Sequence, residues 1–377
     1  MYNKGKQISY FNGLNALRFF AAFFVVLHHA EQIRMKYDLF HLKEYSLFNN
    51  GGIAVMFFFV LSGFLITYLL MKEQNATHKI SIKNFYVRRI LRIWPLYYLL
   101  VIIGALLVPF TIKSIGYDYE MPYTFGEVFL YYLFFLPFCV NIIYGHHLLE
   151  PLWSIGVEEI FYIVWAPLIK FLKKNVLTVI LSTIFIKLVF DMIVYFFELN
   201  GIIIRALGTL QFHAMAVGGL GAYCIFNNII NVSESRWFSL PVQIIILLFL
   251  FFRFCFANFL LENSLFFRFL FETPIFSNLV LMVIFAWLII NVSLNSKSII
   301  KLNSKFLHWG GEISYGIYMY HMLVVFSIML FFRNWLTGFS PVISTVAFYI
   351  LLSGGVIGVS YLSKRFFENY FLKLKSR

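Results

Sequence analysis

Asn15-Ala-Leu-Arg-Phe-Phe-Ala-Ala-Phe-Phe-Val-Val-Leu-His-His29 is one apolar run with a cation near its start and two imidazoles at its end. An ionisable group at the centre of a membrane helix costs at least about 2.5–3.5 kcal/mol, so such groups are rare and usually functional. Arg18 and His29 are eleven residues apart, which on a helix rising 1.5 Å per residue is about 16 Å. That is half of a roughly 30 Å hydrocarbon core. One helix can therefore hold a phosphate near one surface and a base deep in the bilayer or beyond.

The rest of the chain extends the membrane reading. It has 377 residues, 61% of them hydrophobic and only 12% charged, with 48 Phe. A soluble protein carries about 25% charged residues. We expect an all-α polytopic membrane protein of about ten transmembrane helices, near 14–31, 52–71, 95–111, 154–170, 176–197, 203–226, 239–258, 276–293, 312–332 and 341–361. Residues 127–143 are a further apolar stretch, and charge decides their placement. If they do not cross, then Lys4, Lys6, the 72–92 loop, Lys170, Lys173, Lys174, Lys297, Lys301, Lys305 and the tail 364–377 share one side. That side is the cytoplasm by the positive-inside rule, with both termini on it. Residues 112–153 then form a long outer segment, with 127–143 re-entrant or interfacial beside a polar cavity.

Other classes are excluded. The net charge of +13 marks a cytoplasmic face and not nucleic-acid binding. Cys139, Cys224 and Cys255 are too few and too scattered for a disulfide framework or a zinc site, and no metal is expected. No cleavable signal peptide is read, since no small-residue cleavage site follows the first apolar run. No repeat, linker or soluble domain interrupts 1–377, which reads as one integral-membrane domain.

Four further stretches carry chemistry. Tyr86-Val-Arg-Arg-Ile-Leu-Arg-Ile-Trp-Pro-Leu-Tyr-Tyr98 places Arg88, Arg89 and Arg92 just before a proline expected to start the third span. Guanidinium forks there suit phosphates; alone, they are equally a basic flank with Trp94 as an interfacial anchor. Trp153-Ser-Ile-Gly-Val-Glu-Glu-Ile-Phe-Tyr162 puts Ser154 and Glu158 on one face if the helix begins by 154; its two carboxylates are either favourable charges in a first helical turn or groups to orient an imidazole or accept a proton. Ser314-Tyr-Gly-Ile-Tyr-Met-Tyr-His321 sets Ser314, Tyr318 and His321 in one polar stripe, which must face protein or water. Gly51-Gly52 and Phe59-Val-Leu-Ser-Gly63 read as packing. Lys187, Asp191, Glu198 and Arg205 are candidates for ion pairs. His28 points about 100° from His29 and is not expected to act with it.

Together these stretches resemble the membrane-bound acyltransferase-3 family, integral-membrane O-acyltransferases of bacterial surface polysaccharides. The resemblance rests on Leu14-Asn-Ala-Leu-Arg18 with ten residues before His29, on Phe57-Phe-Phe-Val-Leu-Ser-Gly-Phe64, and on Arg89-x-x-Arg92 followed by Trp-Pro. It continues through Leu152 to Tyr162, through Ser314-Tyr-x-x-Tyr318-x-x-His321, and into Lys364-Arg-Phe-Phe-Glu-Asn-Tyr370. Tyr370 stands where the family pattern often has proline. Some relatives carry a fused esterase-like domain that this chain does not show, so a second transfer step would need another protein. The resemblance implies transfer of an acyl group, by default acetyl, from cytoplasmic acyl-CoA to a hydroxyl of a lipid-linked or exported glycan at the bacterial inner membrane. It also implies that Arg18, His29, Arg89 and Arg92 are needed.

The mechanism expected on these grounds docks the acetyl-CoA phosphates on Arg18, Arg88, Arg89 and Arg92. The pantetheine arm threads between the first, third and ninth helices, with Trp153, Tyr318 and His321 completing the binding set. His29 removes the acceptor's proton or carries the acyl group itself, oriented by Glu158. This needs one continuous passage from Arg18 to His29. A transporter or exporter of an anionic or glycan substrate is the alternative, since intramembrane charges and a re-entrant segment suit that class too. Against it stand the lack of a repeat and a cation cluster on one face only.

Overall fold

The structure, a computed structural model, describes residues 8, 11–114, 121–272 and 274–374. Lys4, Lys6, residues 115–120 of the outer segment and the last three of the basic tail lie outside them. In chain order the helices are α1 (Leu14–Lys36), α2 (Gly51–Thr77), α3 (Ile82–Ser114), α4 (Phe125–Leu133), α5 (Pro137–Tyr144), α6 (Leu152–Phe171) and α7 (Val176–Phe196). Then come α8 (Ile202–Phe226), α9 (Leu240–Cys255), α10 (Ala257–Asn263), α11 (Leu265–Glu272), α12 (Pro274–Leu294), α13 (Lys305–Thr337) and α14 (Pro341–Lys373). The described residues hold no strand. Eight of these helices are long and apolar enough to cross a membrane, and the α9–α10 pair, bent by 88°, makes a ninth. α1 is the tenth segment. Its 23 residues span about 35 Å, but Arg18, His28, His29 and Glu31 interrupt its apolar character.

Three expected spans are redrawn. The third helix does not start at Pro95. It starts thirteen residues earlier, where the Ser81 hydroxyl caps it by accepting from Asn84 N–H at 3.3 Å. Arg88, Arg89 and Arg92 thus ride on formed helix turns. The expected 239–258 span breaks after Cys255, and α10 turns across its end. α8 breaks at Leu210–Gln211. There Lys187, paired with Asp191 on α7, donates to the Gly208 carbonyl near the break.

Glycine makes the tightest helix crossing. A Cβ on Gly63 would lie 1.8 Å from the Met215 carbonyl oxygen, and one on Gly218 would lie 1.9 Å from that of Val60. α2 and α8 therefore touch backbone to backbone. Replacing Gly63 by valine should force them apart, destabilising the protein by about 1–3 kcal/mol. The thermal midpoint in detergent should fall accordingly; an unchanged midpoint would refute the crossing.

Residues 127–143 do not cross. α4 and α5 are too short, and they fold back at Phe134–Leu136, where Phe135 takes a positive φ of 57°. The tip reaches α3 just beyond Arg92: Phe135 stacks on Tyr97 at 4.4 Å and lies 5.1 Å from Trp94. Carbonyls left open by the turn must be satisfied inside a bilayer. Tyr97 and Tyr98 do this, donating to Tyr132 O at 3.1 Å and Leu133 O at 2.9 Å. Gly156 leaves room for the tip, since a Cβ there would lie 2.6 Å from the Phe135 carbonyl. The hairpin is re-entrant, entering from the end of the bundle that carries His29.

Candidate active site

Two cavities lie on opposite sides of one thin layer. The first is walled by α1, α2, α3, α6 and α13 and has a free volume of about 170 Å³. Arg18, Arg89 and Arg92 line it, with Ser62, Ser154, Glu158, Tyr162, Ser314 and Tyr318. Glu158 accepts from Ser62 Oγ at 3.0 Å and from Tyr162 OH at 2.8 Å. Arg18 donates to Asn15 Oδ1 at 3.3 Å, and Arg89 lies 5.5 Å from the Tyr162 ring centre with its Nε unpartnered. None of the three guanidiniums makes an ion pair among the described residues. Three guanidiniums face one carboxylate, so the cavity lining carries a net positive charge of a kind that suits an anion.

Several sequence expectations change here. Arg88 points away, half exposed, and pairs with Glu73 at 3.3 Å. On a helix Arg88 and Arg89 sit about 100° apart, so both cannot face one pocket. Trp153 lines neither cavity and packs edge-on against Phe59 at 5.8 Å. Glu158 is not beside His29; it belongs with the guanidiniums. The cavity's helices include the second and fourth spans as well as the first, third and ninth. Ser62, read as part of a packing motif, supplies a hydroxyl to Glu158; a lone serine beside a glycine gave no signal to separate the two roles.

The second cavity opens at the other end of the bundle, with a free volume of about 550 Å³. His29, Gln32, Lys36, Lys43, His146, His147 and Glu150 supply its polar lining. His146 pairs with Glu150 at 2.7 Å. His147 accepts from Leu149 N–H at 3.1 Å and donates to Asn141 Oδ1 at 2.9 Å. Burial pushes its imidazole down to about 3, so it stays neutral.

His29 does have a partner, and it is His321. His321 Nε2 lies 3.2 Å from His29 Nδ1. Backbone carbonyls settle the protons. His321 Nδ1 is 2.6 Å from Tyr318 O and His29 Nδ1 is 3.1 Å from Val25 O, and a carbonyl only accepts. His321 therefore carries its proton on Nδ1 and accepts through Nε2. His29 also carries its proton on Nδ1, shared between Val25 O and His321. This leaves His29 Nε2 unprotonated and without a protein partner among the described residues: the form a general base requires. His28 is engaged elsewhere, donating to Phe48 O at 3.2 Å and accepting from Gln32 at 3.0 Å.

Arg18 and His29 do not share an open passage. Arg18, Phe58, Ser154 and Tyr318 line the first cavity and His29 the second, and no residue lines both.

The described helices form a membrane bundle with a guanidinium-lined cavity toward one end and a histidine pair beside a second cavity toward the other. The chain matches the family model described as an acyltransferase domain over residues 11–365, and it belongs to that family. It is 27% identical over 309 residues to the peptidoglycan O-acetyltransferase OatA of Listeria monocytogenes, covering 76% of this chain and 46% of that protein. It is 31% identical over 176 residues to the putative peptidoglycan O-acetyltransferase YrhL of Bacillus subtilis, covering 44% and 24%. A putative O-acetyltransferase of Staphylococcus aureus is 29% identical over 175 residues, covering 43% and 25%. The chain thus spans less than half the length of these relatives. No solved structure matches it.

Proposed function

We propose that the protein moves an acyl group, by default acetyl, from acyl-CoA to a hydroxyl of a lipid-linked or exported glycan. The observation that carries this is the row of Arg18, Arg89 and Arg92, unpaired on the walls of one cavity. A donor bearing several phosphates supplies the missing charge, with the guanidinium forks as hydrogen-bond partners. Lys72, Lys79 and Lys83 lie at the same end of the bundle as these arginines. That end is therefore the cytoplasm by the positive-inside rule, in a bacterial inner membrane with both termini inside. The acceptor enters the opposite cavity. The family match over 11–365 supports transfer over the transporter reading.

In the chemical step His29 Nε2 takes the proton of the acceptor hydroxyl. The oxygen forms a bond to the thioester carbonyl carbon, the carbon–sulfur bond breaks, and the departing thiolate receives the proton from His29. His321 is a positioning residue, holding the His29 tautomer from Nδ1.

Mass analysis of surface glycans from cells with and without the gene should show one acyl mass gained per modified sugar. Purified protein should consume acetyl-CoA in the presence of that glycan. Identical glycans in both strains would end this reading. Replacing His321 by alanine should lower kcat roughly 10–100-fold, the usual cost of losing an orienting partner, with KM for acetyl-CoA little changed. His321→Gln, which can still present an acceptor to His29, should recover part of the rate. Equal loss in both variants would argue against the tautomer role.

A further inference from the structure

The layer between the two cavities is held by one side chain. Tyr318 donates its single hydroxyl proton to the Pro151 carbonyl at 2.9 Å, so Ser154 Oγ, 2.7 Å away, donates to the tyrosine oxygen. Its ring meets Phe58 edge-on at 5.9 Å. Tyr318 lines the cation side and not the histidine side. Behind it stands His321, wholly buried and bonded to the Tyr318 carbonyl on one nitrogen and to His29 on the other. A thioester delivered past the arginines is stopped at this ring.

We propose that Tyr318 is a latch whose side chain swings off Pro151 and Ser154 to join the two cavities. The proposal rests on the donor and acceptor sides assigned above. Tyr318 is the member of the layer able to move. It borders open space, whereas His321 has none, and two neutral hydrogen bonds are a modest hold. An amide-bearing arm can replace that hold in kind. Its N–H suits the Pro151 carbonyl and its C=O suits the Ser154 hydroxyl, so the arm of coenzyme A exchanges with the tyrosine and opening is tied to donor arrival. A closed latch between turnovers keeps the two sides of the membrane apart.

Cysteine accessibility tests this without any turnover. Ser314 lines the cation side one helical turn before Tyr318, about 6 Å along the axis. With Cys139, Cys224 and Cys255 changed to serine and Ser314→Cys introduced, vesicles of defined orientation are treated with a membrane-impermeant maleimide on the histidine side. Labelling should be slow with Tyr318 in place and at least about tenfold faster with Tyr318→Ala. Tyr318→Phe and Ser154→Ala, which each loosen the hold while keeping the ring, should speed it about threefold. Desulfo-coenzyme A, which keeps the amide-bearing arm but has no thiol to consume the maleimide, should speed labelling of the chain that retains Tyr318 when added on the cation side. Equal rates with and without the tyrosine ring, in variants with unchanged melting, would overturn the latch; no effect of desulfo-coenzyme A would overturn opening by the donor. Fast labelling of Tyr318→Ala in a protein that never consumes acetyl-CoA would leave the latch standing and remove the acyltransferase reading alone.

Discussion

With His29 replaced by alanine, acyl transfer should fall by about 10²–10⁴-fold, the usual contribution of a positioned general base. The loss should appear in kcat. His29 lies on the far side of the Tyr318 layer from the arginines, so donor affinity should be nearly unchanged. Folding should survive, because the imidazole borders an open cavity and its removal leaves no buried gap. The one polar group orphaned is His321 Nε2, which the space vacated by the ring opens to water. The experiment is acetyl transfer to glycan in cells, paired with the melting temperature of the purified variant. Near-normal acetylation would dismiss His29 as the base. Radiolabel from acetyl-CoA held covalently by the wild type, and lost in the variant, would mean that the imidazole carries the acyl group itself.

Replacing Arg89 by alanine is the second large effect, and it should fall on KM. A hydrogen bond to a charged group is worth about 1.5–3 kcal/mol, which converts to roughly 10–150-fold in affinity. Arg92→Ala should act in the same direction but more weakly, because Arg92 is exposed and its interactions are screened by water. Arg88→Ala serves as the internal contrast. Its guanidinium faces Glu73 outside the cavity, and an exposed pair of that kind is worth about 0–1 kcal/mol. Binding of coenzyme A by isothermal calorimetry separates the three. Equal losses at Arg88 and Arg89 would mean that the basic helix acts as a diffuse field and not through the cavity.

The polar positions inside apolar helices were visible in the chain because hydrocarbon penalises them so heavily. Arg18, His29, Ser314, Tyr318 and His321 each stood out for that reason. The non-crossing of 127–143 was legible through charge sidedness, which is a property of the whole chain and not of the stretch; whether it is re-entrant or interfacial was not. The buried pair of Glu31 and Arg34 on α1, joined at 2.7 Å and tied to Thr345 and Tyr349 of α14, gave no such cue. It sits at the end of an apolar run, where charges are ordinary.

Periodicity fixes which residues share a face of one helix, but it is silent on what that face meets. The sequence alone determined the membrane class, the approximate spans and the residues able to do chemistry. Tertiary structure decided that Arg89 and Arg92 face the cavity while Arg88 does not, that Glu158 serves the arginines, and that a tyrosine closes the way to His29. It also chose the partner of His29, a histidine 292 residues away. The rotation of each helix about its own axis and its choice of neighbours come from packing between distant segments, such as the glycine crossing of α2 and α8. No local pattern carries that information.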